Sequence, residues 1–307
     1  MIAENDFKKR IIITGANGYL ASNLIKYFSK SNYYILCIYN KNLNNKVKNK
    51  NTIYIKHNLK KKIPLNKIKG DFFALLHFAG PPNDRTSVTN NKKKIMDTIQ
   101  IDKNTIDFSI KKKIKIFLYA SSSAVYDLNE GLKRKNEAFR EKNVNDDTNY
   151  DGDYGAMKRK TEKYLQSISK AKLNFAICRI FSIYGKNTNT IINIWKKKII
   201  KNNKISIWGN KDIIRSWLHI DDFLSAIHNI LRSNMNSKII NIGSNEKTSF
   251  SKIIEIIEKK YGKKNTKIIV HPHKYPGPKV RFANHEKINK LGWKQKIYLS
   301  NGIELIP

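Results

Sequence analysis

The sequence predicts an α/β fold, a doubly wound parallel sheet with helices on both faces, followed by a smaller C-terminal α/β lobe. Three observations carry that expectation. Short β-branched runs alternate with longer amphipathic stretches from Arg10 to Ile180, the pattern of repeated βαβ units. The first run passes directly into a turn bearing two glycines and then into a helical stretch. The 307 residues, 40% of them hydrophobic, suffice for one large core or for a large and a small lobe.

The expected strands are Arg10–Thr14, Tyr33–Tyr39, Thr52–Lys56, Phe73–Phe78, Ile116–Ala120 and Asn174–Ile180, short apolar runs bounded by turn residues. Between them, Tyr19–Ser29, Lys92–Lys112 and Tyr154–Ser169 read as helices, a spacing that suits right-handed crossovers. The Lys/Asn tract from Asn40 to Asn51 is of low complexity and reads as a surface loop. After Gly185 the alternation loosens, and Pro272, Pro276 and Pro278 exclude a continuous helix or a central strand there. The expected division is therefore 1–183 for the first domain, with 215–243 returning to it, and 184–307 for the second lobe.

The 60 Lys and Arg against 24 Asp and Glu give a formal net charge of +36. Such a balance ordinarily points to nucleic acid or to a membrane surface. Here nearly all of the charge is Lys, interspersed with Asn and Ile from Asn40 to Lys296, so it reads as a solvated basic surface and no nucleic-acid partner is expected. Steering of anionic substrates is the competing use. Cys37 and Cys178 each sit in an apolar run, which favours buried thiols in a reducing compartment over a disulfide, and no zinc-ligand spacing occurs. Residues 1–10 are charged and lack a leader-like apolar stretch, and no segment approaches the ~20 apolar residues of a membrane span. The expectation is a cytoplasmic protein with no membrane partner.

From Arg10 a buried strand runs into Gly15, Gly18 and Ala21 and on into an amphipathic helix. A dinucleotide-binding Rossmann unit needs this order: Gly15 for the tight turn, Gly18 for backbone approach to a pyrophosphate, and a small residue at Ala21 for helix–strand packing. The helix N-terminus then turns free N–H groups toward the phosphates. At the end of the second strand, where an acidic residue often holds the ribose, the chain reads Tyr39-Asn40-Lys41. Asn40 suits a ribose hydroxyl and Lys41 suits an added phosphate, so NAD and NADP both stay open, with NAD slightly preferred.

Tyr154 and Lys158 stand four apart on an expected helix and so share a face. An ammonium beside a phenol favours the phenolate, which can exchange a proton with a carbinol. With 15 Tyr in so Lys-rich a chain, about two such pairs arise by chance, and two occur. The other, Tyr275 and Lys279, encloses two prolines and cannot share a helical face. Tyr154 also follows the strand that leads into Ser121-Ser122-Ser123, and ligands of open α/β sheets bind at such strand ends. His77 and His219, in apolar contexts, read as packing or backbone-bonding histidines, and Trp195, Trp208, Trp217 and Trp293 as core or interlobe residues.

Together these residues resemble the extended short-chain dehydrogenase/reductase superfamily, in its NAD-dependent epimerase/dehydratase branch. The resemblance runs through the glycine turn, His77–Gly80, Ser121–Tyr126, Tyr154–Lys158, Arg179–Gly185, Ile207–Asn210, Arg215–Asp222, Asn241–Ser244 and Leu291–Trp293, nine segments in order over most of the chain. It implies a nucleotide-sugar substrate bound in the second lobe, and a nicotinamide cofactor against Gly15, Asn17, Gly18, Tyr19, Leu20, Asn40, Lys41, Asn58, Leu59, Phe78, Ala79 and Gly80, with Tyr154 and Lys158 at its reacting end. By position it makes Ser122 the catalytic hydroxyl, with Ser123 as near competitor, Tyr154 the acid/base, and Lys158 the holder of the ribose. Ser123 and Ser182 would touch the sugar, and Arg215, with Arg281 as a second contact, the diphosphate.

The chain also departs from the family's pattern. Ser123 and Ala124 stand where a 4,6-dehydratase carries its acidic pair, and no Cys lies near Ala124 as an epimerase/reductase of the fucose-synthase kind would want. Ser182 replaces a common Asn, and Tyr275 a common Arg before Pro276. The resemblance thus implies a nucleotide-sugar epimerase acting at C4 or a 4-ketoreductase, and a homodimer built through Lys92–Lys112 and Tyr154–Ser169. The alternative from another class is a non-catalytic Rossmann regulator or nucleic-acid-binding protein.

Overall fold

The computed structural model describes residues 9–41, 43, 46–80, 92–129, 137–144, 150, 152–233, 238–273 and 277–307. In chain order its elements begin with β1 (Lys9–Thr14), α1 (Tyr19–Ser29), β2 (Tyr33–Tyr39), β3 (Thr52–Lys56), β4 (Ala74–His77), α2 (Lys92–Lys111), β5 (Ile116–Ser122), α3 (Gly152–Ser167) and β6 (Phe175–Ile180). They continue with β7 (Ser182–Tyr184), α4 (Ile191–Asn202), β8 (Lys204–Trp208), β9 (Ile214–Arg215), β10 (Trp217–His219), α5 (Ile220–Arg232), β11 (Lys238–Ile242), β12 (Thr248–Ser249), α6 (Phe250–Lys260), β13 (Lys267–His271), β14 (Val280–Arg281), α7 (Glu286–Asn289) and α8 (Leu299–Gly302).

Two compact units result. The first comprises Met1–Ala124, Gly152–Arg179 and His228–Ile240, and the second Val125–Asp151, Ile180–Ile227 and Asn241–Pro307. Val125–Asp151 thus joins the second unit rather than the first, and of the expected return segment 215–243 only His228–Ile240 joins the first. The reason lies in long-range packing that local periodicity does not report. Val125, Tyr126 and Phe139 bury against Phe181 and Ala283. The Asn241 amide donates to the Phe139 carbonyl at 2.7 Å, and the Tyr126 hydroxyl donates to Asn241.

In the first unit a seven-stranded parallel sheet runs β11-β6-β5-β4-β1-β2-β3. β1 pairs with β2 on one side and β4 on the other, so strand order reverses between β1 and β4, the switch point where open α/β sheets bind ligands. Strand character follows position. β2, between two neighbours, is buried from Tyr33 through Ile38, whereas the edge strand β3 leaves Ile53 and Lys56 exposed. On α1 the buried Ala21, Leu24, Ile25 and Phe28 recur at helical spacing and form one stripe toward the core. β5 runs two residues beyond its expected end, which makes Ser121 and Ser122 strand residues.

The second unit holds the parallel pairs β7–β10 and β8–β13 and the three-stranded order β12-β9-β14. Its core gathers Ile192, Trp195, Ile205, Trp217, Phe250 and Ile253. Trp195, Trp217 and Trp293 are buried, but Trp208 is 42% exposed, because it ends β8 in a two-stranded pair. The described residues of the Lys/Asn tract are mostly exposed, as a surface loop should be, yet the last, Asn51, is buried and donates to the Ser29 carbonyl. Cys37 and Cys178 are free, buried thiols whose pKa values burial pushes far up. Among the described residues no helix is long and apolar enough to cross a membrane.

Three histidines give the fold a signed pH dependence. Burial lowers the pKa values of His219, His228 and His285, with the Arg232 and Lys9 charges adding at His228 and the Asp221 carboxylate opposing at His219. Unfolded, each titrates near about 6.5, so below that pH the unfolded chain binds more protons and stability falls as pH drops. We expect the thermal midpoint to be lower at about pH 5.5 than at about pH 7.5, read by differential scanning calorimetry; equal midpoints would refute this. Asp222 and Glu246, whose carboxyls burial pushes up, act in the opposite sense only nearer the carboxylate range.

Candidate active site

β1 ends at Thr14, and the chain turns at Gly15 with φ of +73°, where a Cβ would lie 2.7 Å from the Phe78 carbonyl and the Ala79 nitrogen. Only glycine meets both conditions. The Gly18 N–H donates to the Gly15 carbonyl at 2.8 Å, and Gly18 opens α1 with no side-chain cap on the first-turn N–H groups. Gly15→Ala is therefore expected to weaken dinucleotide affinity at least about tenfold, measured by fluorescence titration, because positive φ and backbone contact both oppose the methyl group. Undiminished affinity would show that the turn does not carry the cofactor.

A cavity of about 400 Å³ opens at this edge of the sheet. It is lined by Gly15, Asn17 and Gly18 of the turn, by Asn40 and Lys41 after β2, by Asn58 and Leu59 after β3, and by Phe78, Ala79 and Gly80 after β4. The expected Tyr19 and Leu20 are not among its lining residues, since both lie in the first turn of α1. The sequence reading missed Lys94, Asp97, Thr98 and Ile101 of α2, which also face the cavity, and His57 and Lys60 beside β3. Their i, i+3, i+4, i+7 spacing marks one face of α2 and was the available signal. Lys60 and Asp97 pair at 2.6 Å across it.

The catalytic candidates gather where β5 meets α3. Lys158 is buried, and its Nζ donates to the Ala120 carbonyl at 2.9 Å. That Nζ lies 4.7 Å from the centre of the Tyr119 ring and 5.9 Å from that of Tyr154, so Tyr154 and Lys158 do share a helix face. Ser122, the last residue of β5, is buried and accepts the Ala124 N–H at 3.2 Å, which directs its own hydroxyl hydrogen elsewhere. Ser123 is half-buried and begins a short 3₁₀ turn. The end of β5 is fixed from below by Ser121, whose hydroxyl donates at 2.6 Å to Glu162 of α3. Glu162 in turn takes both Nε (3.0 Å) and a terminal nitrogen (2.7 Å) of the buried Arg179.

His77 packs against the Phe117 and Tyr119 rings, as expected, but it bonds side chains rather than backbone. Its Nδ1 meets the Thr14 hydroxyl at 2.7 Å and its Nε2 meets Asp102 of α2 at 2.9 Å. The Asp102 carboxylate also accepts the hydroxyls of Tyr119 (2.8 Å) and Thr161 (2.7 Å) and is completely buried. Burial by itself pushes that carboxyl up, but the His77 hydrogen bond, the Lys158 charge and the Thr161 hydroxyl more than reverse it, leaving it below its ordinary value. The apolar setting of His77 was legible in sequence; its polar partners, from three other elements, were not. His219 does bond backbone, accepting the Asp221 N–H at 3.3 Å.

In the second unit, β9 and β14 run parallel with Arg215 and Arg281 at the same register position, both buried. One Arg215 nitrogen donates to the Ile214 carbonyl, and its guanidinium lies 6.0 Å from the Phe250 ring centre. Ser182 opens β7, half-buried and in register with Trp217. Tyr275 and Pro276 lie outside the described residues.

The residues present fit a dinucleotide, because the Gly15 cradle is one that any side chain would fill and the cavity stands at the switch point. Fold and site therefore define a Rossmann enzyme of the extended short-chain dehydrogenase/reductase type. The family model described as NAD dependent epimerase/dehydratase matches residues 11–243, and the chain belongs to that family. It is 25% identical, over 96% of both chains, to a protein of Methanocaldococcus jannaschii that carries the name of a UDP-glucose 4-epimerase. In fold it is similar to the UDP-N-acetylglucosamine 4-epimerase of Methanobrevibacter ruminantium, solved with UDP-N-acetylmuramic acid (TM-score 0.84, 20% identity, 97% of this chain and 98% of that one). It is also similar to the UDP-glucuronic acid 4-epimerase of Bacillus cereus, solved with UDP-glucuronic acid and NAD (TM-score 0.83, 22% identity, 96% and 97%).

Proposed function

We propose that this enzyme is an NAD(P)-dependent nucleotide-sugar epimerase that oxidises and re-reduces one sugar carbinol, at C4. The observation that carries the reading is the buried Lys158, anchored to the Ala120 carbonyl beside Ser122 and sharing a helix face with Tyr154. Names of relatives and neighbours that act at C4 of nucleotide sugars support it. When bound, the nicotinamide cofactor supplies the hydride acceptor and donor. Gly15, Gly18, Asn40, Asn58 and Ala79 would hold it, and Lys158 would hold its nicotinamide ribose.

Within that frame Tyr154 takes the proton of the sugar hydroxyl as the carbon is oxidised and returns it on reduction. The Lys158 ammonium lies on the same helix face, 5.9 Å from the Tyr154 ring centre, where it supports proton exchange at the phenol. Ser122 hydrogen-bonds the reacting oxygen, with Ser123 and Ser182 as further sugar contacts. The buried Arg215 and Arg281, side by side, suit the two phosphates of the nucleotide, since guanidinium matches paired phosphate oxygens. Neither Ser123 nor Ala124 can perform carboxylate chemistry, which sets dehydration aside. With Lys41 on the cavity wall, NADP is the competing cofactor and NAD the preferred one. A homodimer through the neighbouring α2 and α3 belongs to the same reading, and light scattering tests it.

The test is incubation with a panel of nucleotide sugars, with and without NAD or NADPH, followed by mass and stereochemical analysis. Inverted configuration at unchanged mass is the expected result. A gain of two hydrogens would make the enzyme a 4-ketoreductase, and failure to bind any nicotinamide cofactor would overturn the reading.

A further inference from the structure

We propose that Asp102 is a positioning residue, whose buried carboxylate locks the end of β1 to the end of β4 and serves as the counter-charge for the Lys158 ammonium. The proposal rests on the reading of Tyr154 and Lys158 given above.

A completely buried carboxylate is costly unless it is satisfied, and a core position on α2 has no need of one for packing alone. Asp102 is satisfied by three donors, each from a different element: His77 of β4, Tyr119 of β5 and Thr161 of α3. A carboxylate only accepts, so the His77 Nε2 must carry a hydrogen. A neutral His77 then leaves Nδ1 as an acceptor for the Thr14 hydroxyl, whose oxygen is free to accept the Ala79 N–H at 3.3 Å. The chain of donors therefore runs in one direction, Ala79 to Thr14 to His77 to Asp102. It fixes Thr14, next to Gly15, and the Ala79 backbone, which crowds Gly15, on either side of the switch point.

The other branch leads to the reacting end. Thr161 stands three residues after Lys158 on α3, and Tyr119 presents its ring to the Lys158 ammonium while its hydroxyl donates to Asp102. The groups facing the carboxylate are thus His77, Tyr119, Thr161 and, at longer range, Lys158. Asp102 is not itself among the residues that line the cavity and acts through Lys158 and His77.

Asp102→Asn keeps shape and removes charge, whereas Thr161→Val removes one hydrogen bond and keeps the charge. Both are expected to fold with lowered thermal midpoints. For Asp102→Asn we expect kcat to fall about tenfold or more, with KM for the nucleotide sugar changed less than about twofold. Its kcat–pH profile should differ from the wild type's, because the substitution removes a charge that faces the reacting end of the site. Thr161→Val, which keeps the charge, should lose several-fold less kcat than Asp102→Asn and keep the wild-type profile. Independently of turnover, 15N spectra of the wild type at about pH 8 should show His77 protonated at Nε2 and unprotonated at Nδ1, an assignment that Asp102→Asn relaxes.

An Asn variant with wild-type kcat and pH profile would overturn the proposal, as would a wild-type His77 protonated at Nδ1. So would equal kcat losses in both variants, which would mark a purely structural role. Tyr154→Phe separates the two readings. If it retains turnover, the redox reading fails and this proposal with it; if it is inactive while Asp102→Asn behaves as wild type, only this proposal fails.

Discussion

Tyr154→Phe is expected to lower turnover about a hundredfold to ten-thousandfold while leaving dinucleotide affinity intact, the range that a positioned proton donor supplies. The phenol oxygen is all that the substitution removes. The Lys158 ammonium stays in place because its anchor is the Ala120 carbonyl and its closer aromatic neighbour is Tyr119, so the variant tests proton transfer rather than site assembly. The ring itself is half-buried on α3, which predicts little change in stability. The measurements are kcat with whichever nucleotide sugar the wild type inverts and cofactor affinity by fluorescence titration. Unchanged turnover would remove Tyr154 from its role as acid/base.

Glu162→Gln is expected to destabilise the fold by about 3–5 kcal/mol, the loss typical of breaking one side of a buried ion pair. Arg179 is 1% exposed and gives two hydrogen bonds to this carboxylate, while Ser121 gives a third and Arg159 a fourth at 3.2 Å. The amide would turn a donor toward a buried guanidinium and remove the negative charge that faces it, a loss that dominates every smaller term. The exposed pair between Arg140 and Glu286 offers the contrast, with side chains 48% and 54% accessible; Glu286→Gln should leave stability unchanged. Urea unfolding of both variants decides it. A loss at Glu162 no larger than at Glu286 would show that the buried pair contributes nothing net. Because Ser121 precedes Ser122, the Glu162 variant should also lose activity in proportion to misplacement of the β5 end.

Most of the first unit was legible before any coordinate. β2, β3 and α1 have the bounds that periodicity gives, because each is a local pattern, apolar run or helical stripe, bounded by turn residues. The glycine turn was legible because its chemistry is local as well, a positive φ and a close backbone approach. Tyr154 and Lys158 were found by spacing, and their rival pair was dismissed by prolines. What escaped were side chains whose meaning depends on partners far away in sequence. His77 finds Asp102 25 residues on and Thr14 63 residues back, and Glu162 finds Ser121 41 residues back. The assignment of Val125–Asp151 escaped for the same reason, since Phe139 is committed by Asn241, 102 residues later.

By itself, then, the amino-acid sequence determined the elements of this protein, their winding order, the glycine turn and the identity of a phenol and an amine on one helix face. Each of those is written in neighbours a few residues apart, where backbone sterics and helical or strand periods act directly. Only the tertiary structure decided which buried polar groups satisfy one another, that Arg215 and Arg281 stand in register, and that Asp102 keeps its charge beneath the site. Those outcomes depend on desolvation, and a group's desolvation is set by whatever the whole fold packs around it.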